Sequence, residues 1–86
     1  MSNVNVKVFL EDWCQTCQKV KPELSQLESV YKHMVNWENL NVDEHGPWLQ
    51  VSSVPTIIIY KNGEEVDRMI GERPGFVYEE SIKKHL

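Results

Sequence analysis

An α/β fold with a mixed four-stranded sheet and helices on both faces is what this 86-residue sequence predicts, and three features carry the prediction. The hydrophobic period switches between two and about 3.6 along the chain. The first two strands are joined through a long helix, which requires a parallel pair. The last two strands are joined by a tight hairpin. Helices between the strands and at the end of the order β-α-β-α-β-β-α are then expected to cover both faces. A chain this short is expected to form one domain, 1–86, around one core. Its 41% apolar content argues against disorder.

Val4, Val6, Val8 and Leu10 alternate with Asn5, Lys7 and Phe9, a strand whose second face is partly covered at Phe9. Glu11-Asp12-Trp13 breaks that period. From Cys14 a stripe of Val20, Leu24, Leu27, Tyr31 and Met34 recurs at helical spacing, predicting a helix from about Cys14 to about His33 with Asp12 near its start. Pro22 lies inside, and the stripe continuing on both sides of it predicts one kinked helix. Trp37 to Val42 is the second strand. Asp43 to Pro47 is expected to turn, with Pro47 opening a short helical turn through Trp48, Leu49 and Val51. Trp37 and Trp48 are read as packing residues. Thr56 to Tyr60 is β-branched and aromatic, Lys61-Asn62-Gly63 marks a hairpin, and Glu64 to Ile70 returns beside it. After a loop at 71–75, a last helix is expected to turn Val77 or Tyr78, Ile82 and Leu86 to the core.

Nine basic against thirteen acidic residues give a net charge of −4, which disfavours nucleic acid as a partner. Lys83-Lys84 stands among Glu79, Glu80 and His85, a solvated helix face rather than a binding patch. Residues 1–7 lack a basic segment followed by an apolar one, and the longest apolar run, Val54 to Tyr60, is far short of a membrane span. The expectation is a soluble cytoplasmic protein with no membrane partner. No Gly-x-Gly-x-x-Gly stretch is present, so no dinucleotide cofactor is expected.

The two cysteines, Cys14 and Cys17, are the most informative pair. A bridge across two residues closes almost no loop, so chemistry is a better reason for it than stability. The pair falls at a strand-to-helix junction, where ligand sites of open α/β sheets lie. There the helix's free amide hydrogens and positive dipole end favour a thiolate at Cys14. Three residues of helical separation bring the two within disulfide reach. Cys14 is expected to be exposed and to attack, and Cys17 to be shielded and resolve the mixed disulfide. Zinc is the competing use of this spacing. It needs three or four ligands, and His33, His45 and His85 do not have knuckle spacing to the pair. Two incidental buried thiols are the plainest alternative.

Trp13-Cys14-Gln15-Thr16-Cys17, Pro22 eight residues after the first cysteine, Asn41-Val42-Asp43, Val54-Pro55-Thr56, Lys61-Asn62-Gly63-Glu64 and Gly71 follow one another in the order and spacing of the thioredoxin family. The chain resembles a short thioredoxin-like or glutaredoxin-like member, expected to lack the strand and helix with which thioredoxin proper opens. The resemblance implies that Pro55 is cis and faces the cysteines, that the backbone of Val54 pairs with an extended substrate segment, and that Trp13 is an exposed docking surface. Without it, Pro55 could simply start a strand and Trp13 could be a core aromatic.

Three departures from the family matter. Its buried acid aligns with Val8 and a nearby lysine with Asn39, so Cys17 needs another way to lose its proton. Glu11 and Asp12 are closer in sequence, but their charges would also oppose a thiolate. Gln15-Thr16 replaces the Gly-Pro of thioredoxin and the Pro-Tyr of glutaredoxin; it keeps two amide hydrogens for tuning the thiolate, which implies a higher potential than thioredoxin's. Gly71-Glu72-Arg73-Pro74-Gly75 lacks the glutaredoxin Gly-Gly pair, leaving Arg73 and Lys19 as candidate glutathione contacts.

The resemblance thus implies a thiol–disulfide oxidoreductase that reduces protein disulfides. It would bind no cofactor, act as a monomer, and draw electrons from a flavin-dependent thioredoxin reductase or from glutathione. The alternatives are a glutathione-dependent hydrogen donor, for example to ribonucleotide reductase, and a redox-sensitive binding module.

Overall fold

The computed structural model describes residues 3–86. Its elements are β1 (Val4–Phe9), α1 (Gln15–Tyr31), β2 (Asn36–Leu40), α2 (Val42–Leu49), β3 (Thr56–Lys61), β4 (Glu64–Ile70) and α3 (Gly75–Lys84). The sheet order is β2-β1-β3-β4. β1 runs parallel to β2, with Val6 opposite Trp37, and antiparallel to β3, with Val6 opposite Ile59. This is the mixed sheet that the alternation of periods predicts.

Strand alternation sorts the core into two layers. Val4, Val6, Val8, Ile57 and Ile59 point to one face and pack with Val20, Leu24, Leu27 and Tyr31 of α1 and Tyr78 and Ile82 of α3. Phe9 and Ile58 point to the other face, where with Val51 they form a smaller cluster joined by Leu40, Val42, Leu49 and Val54. Beyond the reach of α2 that face becomes polar: Lys7 bonds Glu38 and lies 5.5 Å from the centroid of the Tyr60 ring. Pro22 stands within the unbroken α1, on its exposed side.

Four expectations are corrected. α1 stops at Tyr31, whose carbonyl accepts from the amides of both Met34 and Val35, so Met34 is exposed and Val35 takes the buried place. α2 begins at Val42 and not at Pro47, so the expected turn 43–47 is helical. Asn41 decides this: its Oδ1 accepts from the amides of Asp43 at 2.7 Å and Glu44 at 3.2 Å, and the two acidic residues sit at the positive end of the helix. Trp48 is 87% exposed rather than packed, because the helix turns Leu49 inward instead. Leu86 lies beyond the end of α3 and is exposed.

The backbone departs from regular geometry at the end of α2 and in β4. α2 closes on Gln50 in the left-handed region, φ 58°, and the amide of Val51 bonds the Gly46 carbonyl at 2.8 Å. A β-carbon on Gly46 would lie 2.5 Å from the Val51 carbonyl oxygen, so only glycine fits. In β4, Asp67 opposes Ile59 while Glu65 opposes Tyr60, which leaves Val66 as the extra residue of a bulge. Among the described residues no helix is long and apolar enough to cross a membrane.

Candidate active site

β1 delivers the chain to Leu10–Trp13, and Cys14 then caps α1 with its own sulfur, accepting from the Cys17 amide at 3.1 Å. A thiol fills the place that serine or aspartate usually takes, with no acidic residue in the first turn to compete with it. Cys17, one turn on, is fully buried. Both are free thiols.

The expectation that Cys14 is open to solvent is corrected: it retains only 8% exposure. The cause is the loop that ends in a cis Val54–Pro55 peptide. This loop lies over the first sulfur, and the Cys14 Sγ is 3.8 Å from the Val54 carbonyl oxygen. Two bonds fix the far end of the loop: Thr56 Oγ1 donates to the Ser53 carbonyl and the Gly71 amide to the Pro55 carbonyl, each at 2.8 Å. Pro55 therefore stands buried beside the dithiol and does not merely open β3.

Trp13 is 74% exposed, which removes the core-aromatic reading. It and Val54 border a groove of about 590 Å³ whose other wall is α2, through Val42, Gly46, Pro47 and the following Val51. Sequence reasoning misses this wall because it makes residues 43–47 a turn; the Asn41 cap is the signal that could have found it. Gln15 is exposed and Thr16 half-buried in the first turn of α1.

Burial pushes the Cys17 thiol from 9.0 up to about 11, and the Cys14 sulfur beside it adds to the rise, against a smaller opposite effect of a backbone hydrogen bond at Glu11. No carboxylate replaces the family's buried acid on β1, since Val8 is core. Glu11 spends its carboxylate on the first amide of α2, accepting from Val42 at 3.0 Å, and its charge raises Cys17 further. Asn39, in the place of the lysine, donates to Glu28 at 3.3 Å. Val8, Glu11 and Asn39 line one open cavity of about 350 Å³ with Lys21 and Gln18.

The two candidate glutathione contacts are not drawn into such a site. Arg73 turns its guanidinium to the Glu72 carbonyl at 3.1 Å, and Lys19 is exposed on α1. Among the described residues no three His, Cys, Asp or Glu side chains gather as a metal site.

Comparison with known proteins agrees with this arrangement. The family model described as Thioredoxin matches residues 2–84. A thioredoxin of Staphylococcus saprophyticus is 38% identical over 99% of this chain and 85% of its own, and one of Staphylococcus aureus is 33% identical over the same shares. Among solved structures, the thioredoxin of Fasciola hepatica superposes with a TM-score of 0.86 at 27% identity, covering 99% of this chain and 83% of that one. The mitochondrial thioredoxin 3 of Saccharomyces cerevisiae gives 0.83 at 25% identity, over 98% and 80%. With a thiol-capped helix, a buried second thiol and a cis-proline loop over the first, the chain belongs to the thioredoxin family of thiol–disulfide oxidoreductases.

Proposed function

We propose that this chain reduces disulfide bonds in other proteins, with Cys14 as nucleophile and Cys17 as resolving thiol. The observation that carries the reading is the Val54 carbonyl 3.8 Å from the Cys14 sulfur, which offers a strand-like partner to a substrate backbone beside the reacting atom. Trp13 and the groove next to it supply apolar area for the same segment. Cys14, as thiolate, attacks one sulfur of the substrate disulfide; a Cys14 mixed disulfide forms and the first substrate sulfur leaves as a thiolate that takes up a proton. Cys17 then attacks the Cys14 sulfur, and its proton goes to the second departing substrate sulfur. The substrate gains two electrons and two protons, and the chain is left with a Cys14–Cys17 disulfide. The high pKa of Cys17 supports this order, because its thiol stays protonated until the mixed disulfide is in place.

Electrons to restore the dithiol come from a flavin-dependent thioredoxin reductase. The chain works as a single-domain cytoplasmic monomer without a bound cofactor. Insulin reduction with dithiothreitol tests the reading. Wild type accelerates it, Cys14→Ser abolishes the acceleration, and Cys17→Ser accumulates a Cys14–insulin adduct by mass. No acceleration by wild type leaves only a binding role. NADPH oxidation with thioredoxin reductase, set against glutathione with glutathione reductase, identifies the donor; turnover with glutathione alone would favour the hydrogen-donor alternative.

A further inference from the structure

Outside the dithiol, a dense polar arrangement lies on β4. Arg68 donates from Nη1 to the Gln50 carbonyl at 2.9 Å and from Nη2 to the Leu49 carbonyl at 2.8 Å. The Glu65 carboxylate grips the same guanidinium, accepting from Nε at 2.8 Å and from Nη2 at 2.9 Å. In a regular strand residues three apart point to opposite faces. The bulge at Val66 puts these two on the same side: Arg68 opposes Ile58 and Glu65 opposes Tyr60, both of which belong to the face that carries α2. The carbonyls that Arg68 reaches belong to the last residue of α2 and to its cap; the helix has no basic residue in its own final turn, so the guanidinium supplies the cation that its negative end lacks. Gln50 holds a left-handed conformation that glycine adopts more readily, and it does so with its carbonyl fixed by Arg68.

Four residues beyond Gln50 stands Val54, whose carbonyl faces the Cys14 sulfur. Thr56 and Gly71 tie the far end of that loop, and Arg68 ties the near end. We propose that Arg68, oriented by Glu65 across the Val66 bulge, is a positioning residue of the dithiol site: it fixes the 50–54 loop so that the Val54 backbone meets a substrate segment beside Cys14. This inference rests on the protein-disulfide reading. It assigns to β4, remote from the cysteines in sequence, a part in selecting peptide-borne disulfides over small ones.

The test compares two probes. Reduced wild type, Arg68→Ala and Arg68→Lys are each reacted with insulin and with dithiodipyridine, a disulfide that has no peptide backbone. Arg68→Ala is expected to lower the insulin rate about tenfold, as misplacement of a docking group does, while the dithiodipyridine rate stays within about twofold. Arg68→Lys recovers less than half of the loss, because an ammonium cannot span two carbonyls and a carboxylate at once. An insulin rate equal to wild type, or an equal fall with both probes, overturns the proposal. If Arg68→Ala does not fold, Glu65→Gln keeps the guanidinium and loosens its grip, with a loss of about threefold on insulin alone; unchanged rates overturn the proposal again. Wild type that reacts with dithiodipyridine but not insulin strikes the protein-disulfide reading instead. Amide exchange at Val51 and Val54 then decides on Arg68, faster exchange in Arg68→Ala supporting it and unchanged exchange overturning it.

Discussion

On one face of the sheet, Val6, Val8, Ile57 and Ile59 meet Leu24, Tyr78 and Ile82 of two helices in a continuous apolar layer. On the other, the buried apolar cluster beneath α2 is smaller, formed by Phe9, Ile58 and Val51, and polar side chains hold the helix at its ends: Glu11 at the first amide and Arg68 at the last carbonyls. The two halves of the dithiol site divide along this line. Cys14 and Cys17 ride on α1, anchored in the thick layer, whereas the Val54–Pro55 loop follows α2 on the thin one. The two sulfurs are thus placed mainly by burial of apolar area, and the Val54 backbone, for which we propose a docking role, mainly by directional hydrogen bonds. Burial tolerates no lost volume without a loss of stability. Hydrogen bonds at a partly exposed helix end contribute little to stability and much to geometry.

That contrast can be broken by experiment. The largest effect is expected from Ile59→Ala on the thick face, which should cost about 2–5 kcal/mol of unfolding free energy, read by denaturant titration of the reduced protein. Insulin reduction per folded molecule should change less than about twofold, since no docking group moves. A large rate loss in the folded fraction would show that the thick layer also sets the docking loop.

Next comes Gly46→Ala on the thin face. Its β-carbon meets the Val51 carbonyl at 2.5 Å, a backbone atom that can move only by opening the end of α2. Stability should fall by about 1–3 kcal/mol, and here the insulin rate should fall as well, with dithiodipyridine spared. A stability loss without that selectivity would detach the end of α2 from docking.

The smallest effect concerns pH. Burial raises Cys17 from 9.0 to about 11, so the folded state holds the proton more tightly than the unfolded chain. The stability this contributes is complete below about pH 9 and is lost as pH rises through about 11. Under reducing conditions the stability difference between wild type and Cys17→Ala should therefore shift against wild type over that window. The comparison cancels Tyr31, Tyr60 and Tyr78, which are also raised, the first chiefly by its hydrogen bond to Glu79 and the others by burial. A flat difference would mean that Cys17 is better solvated than its full burial implies.

Much of the thick face was legible in the sequence. Val20, Leu24, Leu27 and Tyr31 lie where their spacing puts them, and the period-two strand of Val4, Val6 and Val8 meets them. The hairpin was legible for a local reason: Asn62 and Gly63 both take positive φ, 55° and 81°, as a two-residue turn of this hand requires. The thin face was less so. Pro47 suggests a helix start, yet a side-chain cap at Asn41 and two acids behind it nucleate α2 five residues earlier. Trp48 looks like core by composition and is exposed, since a helix this short turns one narrow stripe inward, here the buried Gly46 with the partly buried Val42 and Leu49.

The Cys14–Cys17 spacing, the helix that bears it and the strand before it follow from the sequence alone, because hydrophobic period and local backbone preference act over a few residues. How deeply the first sulfur is covered, and by which carbonyl, depends on a loop 40 residues away. The grip of Arg68 on the end of α2 depends equally on a single extra residue in β4 that shifts which face its neighbours occupy. Such contacts arise only once the sheet has closed, because direction and distance between remote segments are properties of the packed chain and not of any stretch of it.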